Sequence, residues 1–246
     1  TFANYAGSDM LYVIREAVYL YKDYPDAFAR LRDRAMAQDF SWNRSAGDYL
    51  RIYGAVTGLS WEKSAPEVPA AEAAAPAEEA AAVEEAQPVF DMSTLPRRSV
   101  AFIGSECHPF VKTGGLGDVM YALPRELARL NCDVRVILPR YACIPQEYQD
   151  KMVYRGEFYM DLGNTGRSYY VGIMEYINDG VVYDFIDNQE FFSSGNPYLN
   201  LVDDIPKYCF FSKAALAALN YMDWIPDIVH CHDWQAALVP LLLKTE

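Results

Sequence analysis

Hydrophobic positions change their period along this chain. Leu11, Ile14, Val18 and Tyr21 recur at helical spacing, so a helix is predicted over about 10–21, with Ser8 and Asp9 placed to cap it. A second helix follows the Pro25 turn over about 26–37. A third, capped by Ser41 or Asn43 and running through Tyr53, carries Ala46, Tyr49, Leu50 and Tyr53 on one face. Three short helices in about 60 residues make a marginal core, so they need a partner surface.

From Ser99 onward the pattern shifts to short apolar runs. Ser99 to Gly104, Asp133 to Leu138 and Ile228 to Cys231 read as buried strands, and Tyr154 to Met160, Ser168 to Tyr176 and Val181 to Ile186 as further strands of β-formers. Helical patterns separate them at Val119 to Leu130, at Pro206 to Tyr221 with Phe210, Leu216 and Leu219 facing inward, and at Gln235 to Leu243. Asn188 to Phe192 and Asn196 to Leu199 read as a mobile loop. Strands alternating with helices predict an α/β fold built on a doubly wound parallel sheet.

Neither pattern holds between these two parts. Ser64 to Gln87 is almost wholly Ala, Glu, Pro and Val, without an aromatic residue, and Pro66, Pro69, Pro76 and Pro88 cut its alanine runs short. Such a segment cannot build a core and is expected to be a disordered or transiently helical tether. The expected organisation is therefore a helical segment at 1–63, a linker at 64–96 and an α/β domain at 97–246.

The formal net charge is −13, and residues 64–96 contribute seven acidic side chains and no basic one. An acidic balance argues against general nucleic-acid binding, which needs a basic face. Five cysteines without paired spacing fit a reduced, cytosolic protein better than a disulfide framework. No apolar run approaches the roughly 20 residues of a membrane span.

Chemistry concentrates at two strand ends. Lys112-Thr113-Gly114-Gly115-Leu116-Gly117-Asp118 follows the first strand and opens a helix. Glycines that tolerate positive φ and let the backbone approach closely, together with a helix N-terminus, make a ready phosphate site. It is not a Walker loop, because the lysine precedes the glycines and no Ser or Thr stands behind it for magnesium. It also lacks the G-x-G-x-x-G spacing of a dinucleotide fold, which disfavours a nicotinamide-dependent oxidoreductase. Lys112 and Arg140 supply local positive charge for a phosphorylated ligand.

The second strand end is His230-Cys231-His232-Asp233-Trp234, at the carboxyl edge where open parallel sheets bind ligands. His230 and His232 are expected on opposite faces of the strand, which disfavours a shared metal. No other His and Cys cluster supports one, so no metal site is assigned. A packed or hydrogen-bonded His230 is the plainer reading, beside a site role for His232.

Ser105-Glu106-Cys107-His108-Pro109-Phe110-Val111-Lys112-Thr113-Gly114-Gly115-Leu116-Gly117-Asp118-Val119 closely resembles the start of the bacterial glycogen synthase and plant starch synthase family, and Trp224 to Ala236 resembles its H-x-H-D-W landmark. These are retaining glucosyltransferases of the two-Rossmann-domain (GT-B) type. The resemblance implies that Lys112, Gly114 and Gly115 meet the phosphates and glucose of the donor. It also implies that Glu106 and Asp118 are polar catalytic-wall residues, that Asp233 lies in the sugar-nucleotide cleft beside His232 and Trp234, and that Tyr198 touches it from an aromatic-bearing loop.

Ala35 to Tyr53 resembles the carboxyl-terminal end of the same family, so the family's end precedes its beginning here. A window cut from a tandem fusion is favoured over a circular permutation. The resemblance further implies transfer of glucose from ADP-glucose to the 4-hydroxyl of an α-1,4-glucan end, no cofactor, a cytoplasmic or plastid-stromal setting, and docking of residues 41–57 on the 97–246 domain. The missing middle would hold the second Rossmann domain, so these 246 residues alone are expected to be inactive. The alternative is a catalytically inactive nucleotide- or glucan-binding regulatory module.

Overall fold

The computed structural model describes residues 6–58, 97–163 and 166–245. The predicted 64–96 linker lies outside the described residues. Contacts divide the chain into two units, Thr1–Arg44 and Ser45–Glu246.

The first unit contains helices α1 (Gly7–Asp23) and α2 (Pro25–Met36). α1 starts earlier than the sequence suggested. Ala6 is its N-cap residue and has no capping side chain, so Ser8 and Asp9 fall inside the first turn, where Asp9 suits the helix dipole. Pro25 opens α2 with its φ already helical. The rings of Tyr21 and Phe28 meet edge-on at 5.0 Å, yet neither helix buries a residue.

Helix α3 (Trp42–Thr57) carries the chain into the second unit. Ser41 caps it, its hydroxyl accepting from the Arg44 N–H at 3.2 Å. Ala46, Leu50 and Tyr53 are buried on its inner face.

The sheet unit continues as β1 (Arg98–Ile103), α4 (Gly115–Arg129), β2 (Cys132–Pro139), α5 (Gln146–Gln149), β3 (Val153–Asp161), β4 (Ser168–Asn178) and β5 (Val181–Asp187). It ends with α6 (Gln189–Phe192), α7 (Leu201–Tyr221), β6 (Ile228–Cys231), a 3-10 turn over Trp234–Ala236, and α8 (Val239–Thr245). The six strands stand in the order β3-β4-β5-β2-β1-β6. β5, β2, β1 and β6 are parallel neighbours, as the α/β reading expected. β3 and β4 add an antiparallel edge. The reason is local: Asp179 and Gly180 both take positive φ, 51° and 77°, and turn β4 straight back into β5.

Val100 to Ile103, Val134, Val136 to Leu138, Val181, Phe185 and Ile186 are all fully buried, as parallel strands covered on both faces should be. α4 places Met120, Leu123 and Leu127 against them at helical spacing. α7 adds Phe210, Phe211, Ala214, Ala215, Ala218 and Leu219, while Leu216 is only partly buried.

Three local expectations change. Asn188 to Phe192 is not a loop but a capped turn of helix: the Asn188 carboxamide accepts from the N–H groups of Glu190 and Phe191, and Phe192 is buried. α7 starts at Leu201 rather than Pro206, because Asn200 caps it through the N–H groups of Val202 and Asp203. The continuous helix expected over 235–243 is broken, since Pro240 fits only near a helix start and α8 begins at Val239.

Candidate active site

The loop between β1 and α4 folds back on itself. Cys107 and Val111 exchange backbone hydrogen bonds at 2.9 and 3.0 Å, and the His108 N–H donates to the Gly117 carbonyl at 3.0 Å, which ties the loop to the first turn of α4. Glu106, only 3% exposed, sits behind this loop. One of its oxygens accepts from the Thr113 N–H and the other from the Tyr198 hydroxyl at 3.3 Å. Both oxygens are thus committed to holding the wall in shape.

Lys112 lies across the start of α4 and pairs with Asp118 at 2.7 Å, with both side chains substantially exposed. The glycines act differently from the sequence-based expectation, since none of Gly114, Gly115 and Gly117 takes a positive φ. Their role is space. A Cβ at Gly114 or Gly115 would meet nothing within 4 Å, which leaves the head of α4 open. A Cβ at Gly117 would stand 2.9 Å from Lys112 Cγ, so Gly117 lets the lysine stem cross the helix.

β6 brings up the second wall. The His232 N–H donates to the Ile103 carbonyl at 2.9 Å, joining the β6 end to the β1 end. Gly104 seals this corner, because a Cβ there would lie 2.9 Å from the Met120 thioether methyl and 3.6 Å from His232 Cβ. Asp233 then takes φ 58° and ψ −178°. That region is essentially reserved for glycine and costs about 1–3 kcal/mol in any other residue, a strain that marks functional corners. Trp234 remains 48% exposed.

The loop before α7 joins the two walls. Asp204 and Lys207, a buried ion pair at 2.6 Å, hold it through the Leu199 N–H and the Pro197 carbonyl, and the Tyr208 hydroxyl donates to the same carbonyl at 2.9 Å. Tyr198 is thereby placed to share a 2.8 Å hydrogen bond with Ser105. Burial first, and the charges of Glu106 and Asp233 after it, push the Tyr198 phenol up to about 12, so it stays a donor. Tyr208 meets Trp234 edge-on at 5.3 Å.

His230 and His232 do not point to opposite faces. Residues two apart on a strand share a face, and the two imidazoles stack with centroids 4.2 Å apart. Burial pulls both down to about 4, with His232 adding to the effect on His230, so both are neutral near pH 7. Among the described residues, no group of three or more His, Cys, Asp or Glu side chains could hold a metal ion. Arg140 is no free anion ligand, because it pairs with Asp187 and Gln149, each at 3.1 Å. Sequence reasoning missed Gly104, Ser105 and Tyr208; nothing in their spacing distinguishes them from ordinary strand-end and helix residues.

A profile of the family described as "Starch synthase catalytic domain" matches residues 99–246. The glycogen synthase of Lachnoclostridium phytofermentans is 48% identical over 146 residues, covering 59% of this chain and 30% of that protein. The glycogen synthase of Lachnospira eligens is 49% identical over 147 residues, covering 60% and 30%. Among solved structures, the catalytic domain of Starch Synthase IV from Arabidopsis thaliana, bound to ADP and acarbose, superposes with a TM-score of 0.52 at 34% identity, over 61% of this chain and 30% of the other. The chain spans about 30% of the length of these relatives.

Proposed function

The chain belongs to the starch synthase catalytic-domain family, and from that premise we propose that it supplies the first lobe of a retaining glucosyltransferase. The whole enzyme moves glucose from ADP-glucose to the 4-hydroxyl end of an α-1,4-glucan, in the cytoplasm. The observation that carries this reading is the open head of α4, with Gly114 and Gly115 bare and Lys112 laid beside them. The ADP and acarbose held by the Arabidopsis relative support nucleotide and glucan as the ligands. In this reading residues 1–63 are the end of one synthase unit, 64–96 a linker and 97–246 the start of the next.

Each residue then has a part. As glucose leaves the diphosphate, negative charge grows on the phosphate, and fixed donors aimed at it lower the barrier. Lys112 supplies one such donor and the first N–H groups of α4 supply others. Asp118 holds Lys112 until phosphate takes its place. Glu106 shapes the wall through Thr113 and Tyr198. The strained Asp233 presents its carboxylate toward the sugar, with His232 and Trp234 beside it. Residues 41–57 dock on the 97–246 domain, supported by the burial of Ala46, Leu50 and Tyr53.

Titrating the purified chain with ADP while following backbone amides tests the donor site. Perturbation should centre on Lys112, Gly114 and Gly115, and Lys112→Ala should weaken binding about tenfold, the loss of one charge-assisted hydrogen bond. Amide shifts confined to other surfaces, or unchanged affinity in the variant, would overturn the assignment. Asp233→Gly should raise stability by about 1 kcal/mol through relief of strain while abolishing transfer in the two-lobed enzyme. Detectable glucose transfer by the 246 residues alone would refute the need for a second lobe.

A further inference from the structure

His230 is enclosed by aromatic rings. Tyr49 stands 5.3 Å away, Tyr53 5.8 Å and edge-on, Phe102 4.8 Å, and His232 stacks on it at 4.2 Å with 27° between planes. Within this box Tyr53 forms a 2.6 Å hydrogen bond from its hydroxyl to His230 Nδ1. Burial drives the Tyr53 phenol up and the His230 imidazole down, so both are neutral at pH 7. A phenol is the better proton donor of the pair, so Nδ1 accepts and the His230 ring proton resides on Nε2.

His232 depends on that ring. One neighbour is His230; Phe102 lies nearly parallel to it, 5.6 Å away at 17°. Its backbone is pinned to Ile103, but its Nε2 is buried with no partner among the described residues. An orphaned buried ring nitrogen carries an uncompensated desolvation cost until something meets it, and Asp233 with its strained backbone follows directly.

We propose that Tyr53 is a positioning residue for the candidate site: its hydroxyl fixes the plane and tautomer of His230, and the ring stack passes that constraint to His232, whose free Nε2 awaits a ligand group. The residue that orients this corner therefore comes from a helix on the far side of residues 59–96 from the domain that holds it. Assigning His232 to the donor site rests on the proposed function, whereas the coupling from Tyr53 to His232 stands apart from any ligand.

The whole chain has three histidines, so imidazole nitrogen NMR resolves each. His108, set against Tyr121 at 5.1 Å, serves as the internal reference. In the parent protein His230 should show a bare Nδ1 and a protonated Nε2. Tyr53→Phe should give His230 mixed tautomers and should also move the His232 ring signals, with His108 unchanged. Tyr49→Leu, which removes a ring and no hydrogen bond, should leave the tautomers as they were. ADP affinity should fall about fivefold in Tyr53→Phe and not in Tyr49→Leu.

Signals of His232 and ADP affinity that stay at parental values in Tyr53→Phe would overturn the proposal. If ADP fails to move His232 even in the parent, the donor-site reading fails, while the ligand-free spectra still decide the coupling. If Tyr53→Phe does not fold, His230→Phe keeps a ring in the stack and removes Nδ1, and unchanged His232 signals there overturn the proposal equally.

Discussion

Helices α1 and α3 carry apolar residues at the same spacing, and they end up in opposite circumstances. α1 leaves Leu11 46%, Ile14 49% and Val18 46% exposed. α3 buries Ala46 completely, Leu50 to 6% and Tyr53 to 5%. An amphipathic period states that a helix has a face; it does not state what the face meets. One feature separates the helices: Tyr53 finds a polar partner in His230 for the one group that burial would otherwise leave unpaired.

The sharpest way to break the comparison is to truncate one apolar side chain in each helix. Leu50→Ala should destabilise the sheet unit by about 2–4 kcal/mol, the transfer and cavity loss of a core leucine, while Ile14→Ala should change stability by no more than about 0.5 kcal/mol. Urea unfolding of the two variants measures both. Equal losses would mean that α1 is as firmly held as α3, and the contrast would disappear.

A smaller effect isolates the polar half of the difference. Tyr53→Phe removes a hydroxyl from a buried hydrogen bond and should cost about 1–2 kcal/mol, since it leaves the His230 ring nitrogen unpaired. Tyr19→Phe removes a hydroxyl from an exposed pair, Tyr19 with Tyr24 at 3.1 Å, and should leave the melting curve unmoved. A silent Tyr53→Phe would reduce α3 to apolar contact alone.

Much of the sheet unit was legible in the sequence. Buried parallel strands read as unbroken apolar runs, so β1, β2, β5 and β6 appear within a residue or two of their observed ends. The hairpin edge was also legible, because Asp179-Gly180 between two β-rich runs is the turn that doubles a strand back, and its signal was overlooked. The break just before Val239 lay in plain view at Pro240.

Less legible were properties that only tertiary contact creates. The glycines of the 112–118 run suggest backbone freedom, but space is their contribution, and space depends on where Lys112 and the rest of the loop come to lie. Arg140 reads as a free cation until Asp187 and Gln149, on different elements, are seen to hold it. The His230 and His232 stack follows from strand alternation once that rule is applied correctly; the tyrosine that bonds to it is 177 residues away in sequence and carries no local mark.

A last effect lies in pH dependence, where two trends oppose each other in one window and only their difference is read. His230 and His232 are held near 4 in the folded protein against an ordinary 6.5. Their contribution is fully present above about 6.5 and is lost as pH falls through 4, since the unfolded chain binds protons that the buried rings refuse. Asp184 runs the other way. Its burial, only partly offset by Arg135, raises it from 3.8 to about 6, so its contribution is fully present below 3.8 and is lost as pH rises through 6.

Two histidines outweigh one aspartate, so stability of the sheet unit should rise from pH 4 to 6.5. Asp184→Asn should steepen that rise, and His230→Phe should flatten it. The α1 and α2 pair buries no side chain and should show no such slope over the same range. A matching slope in both units, followed by melting at half-unit pH steps, would place the titrating groups somewhere other than the α3 contact and β2–β5, and the contrast between the two helices would then rest on apolar burial alone.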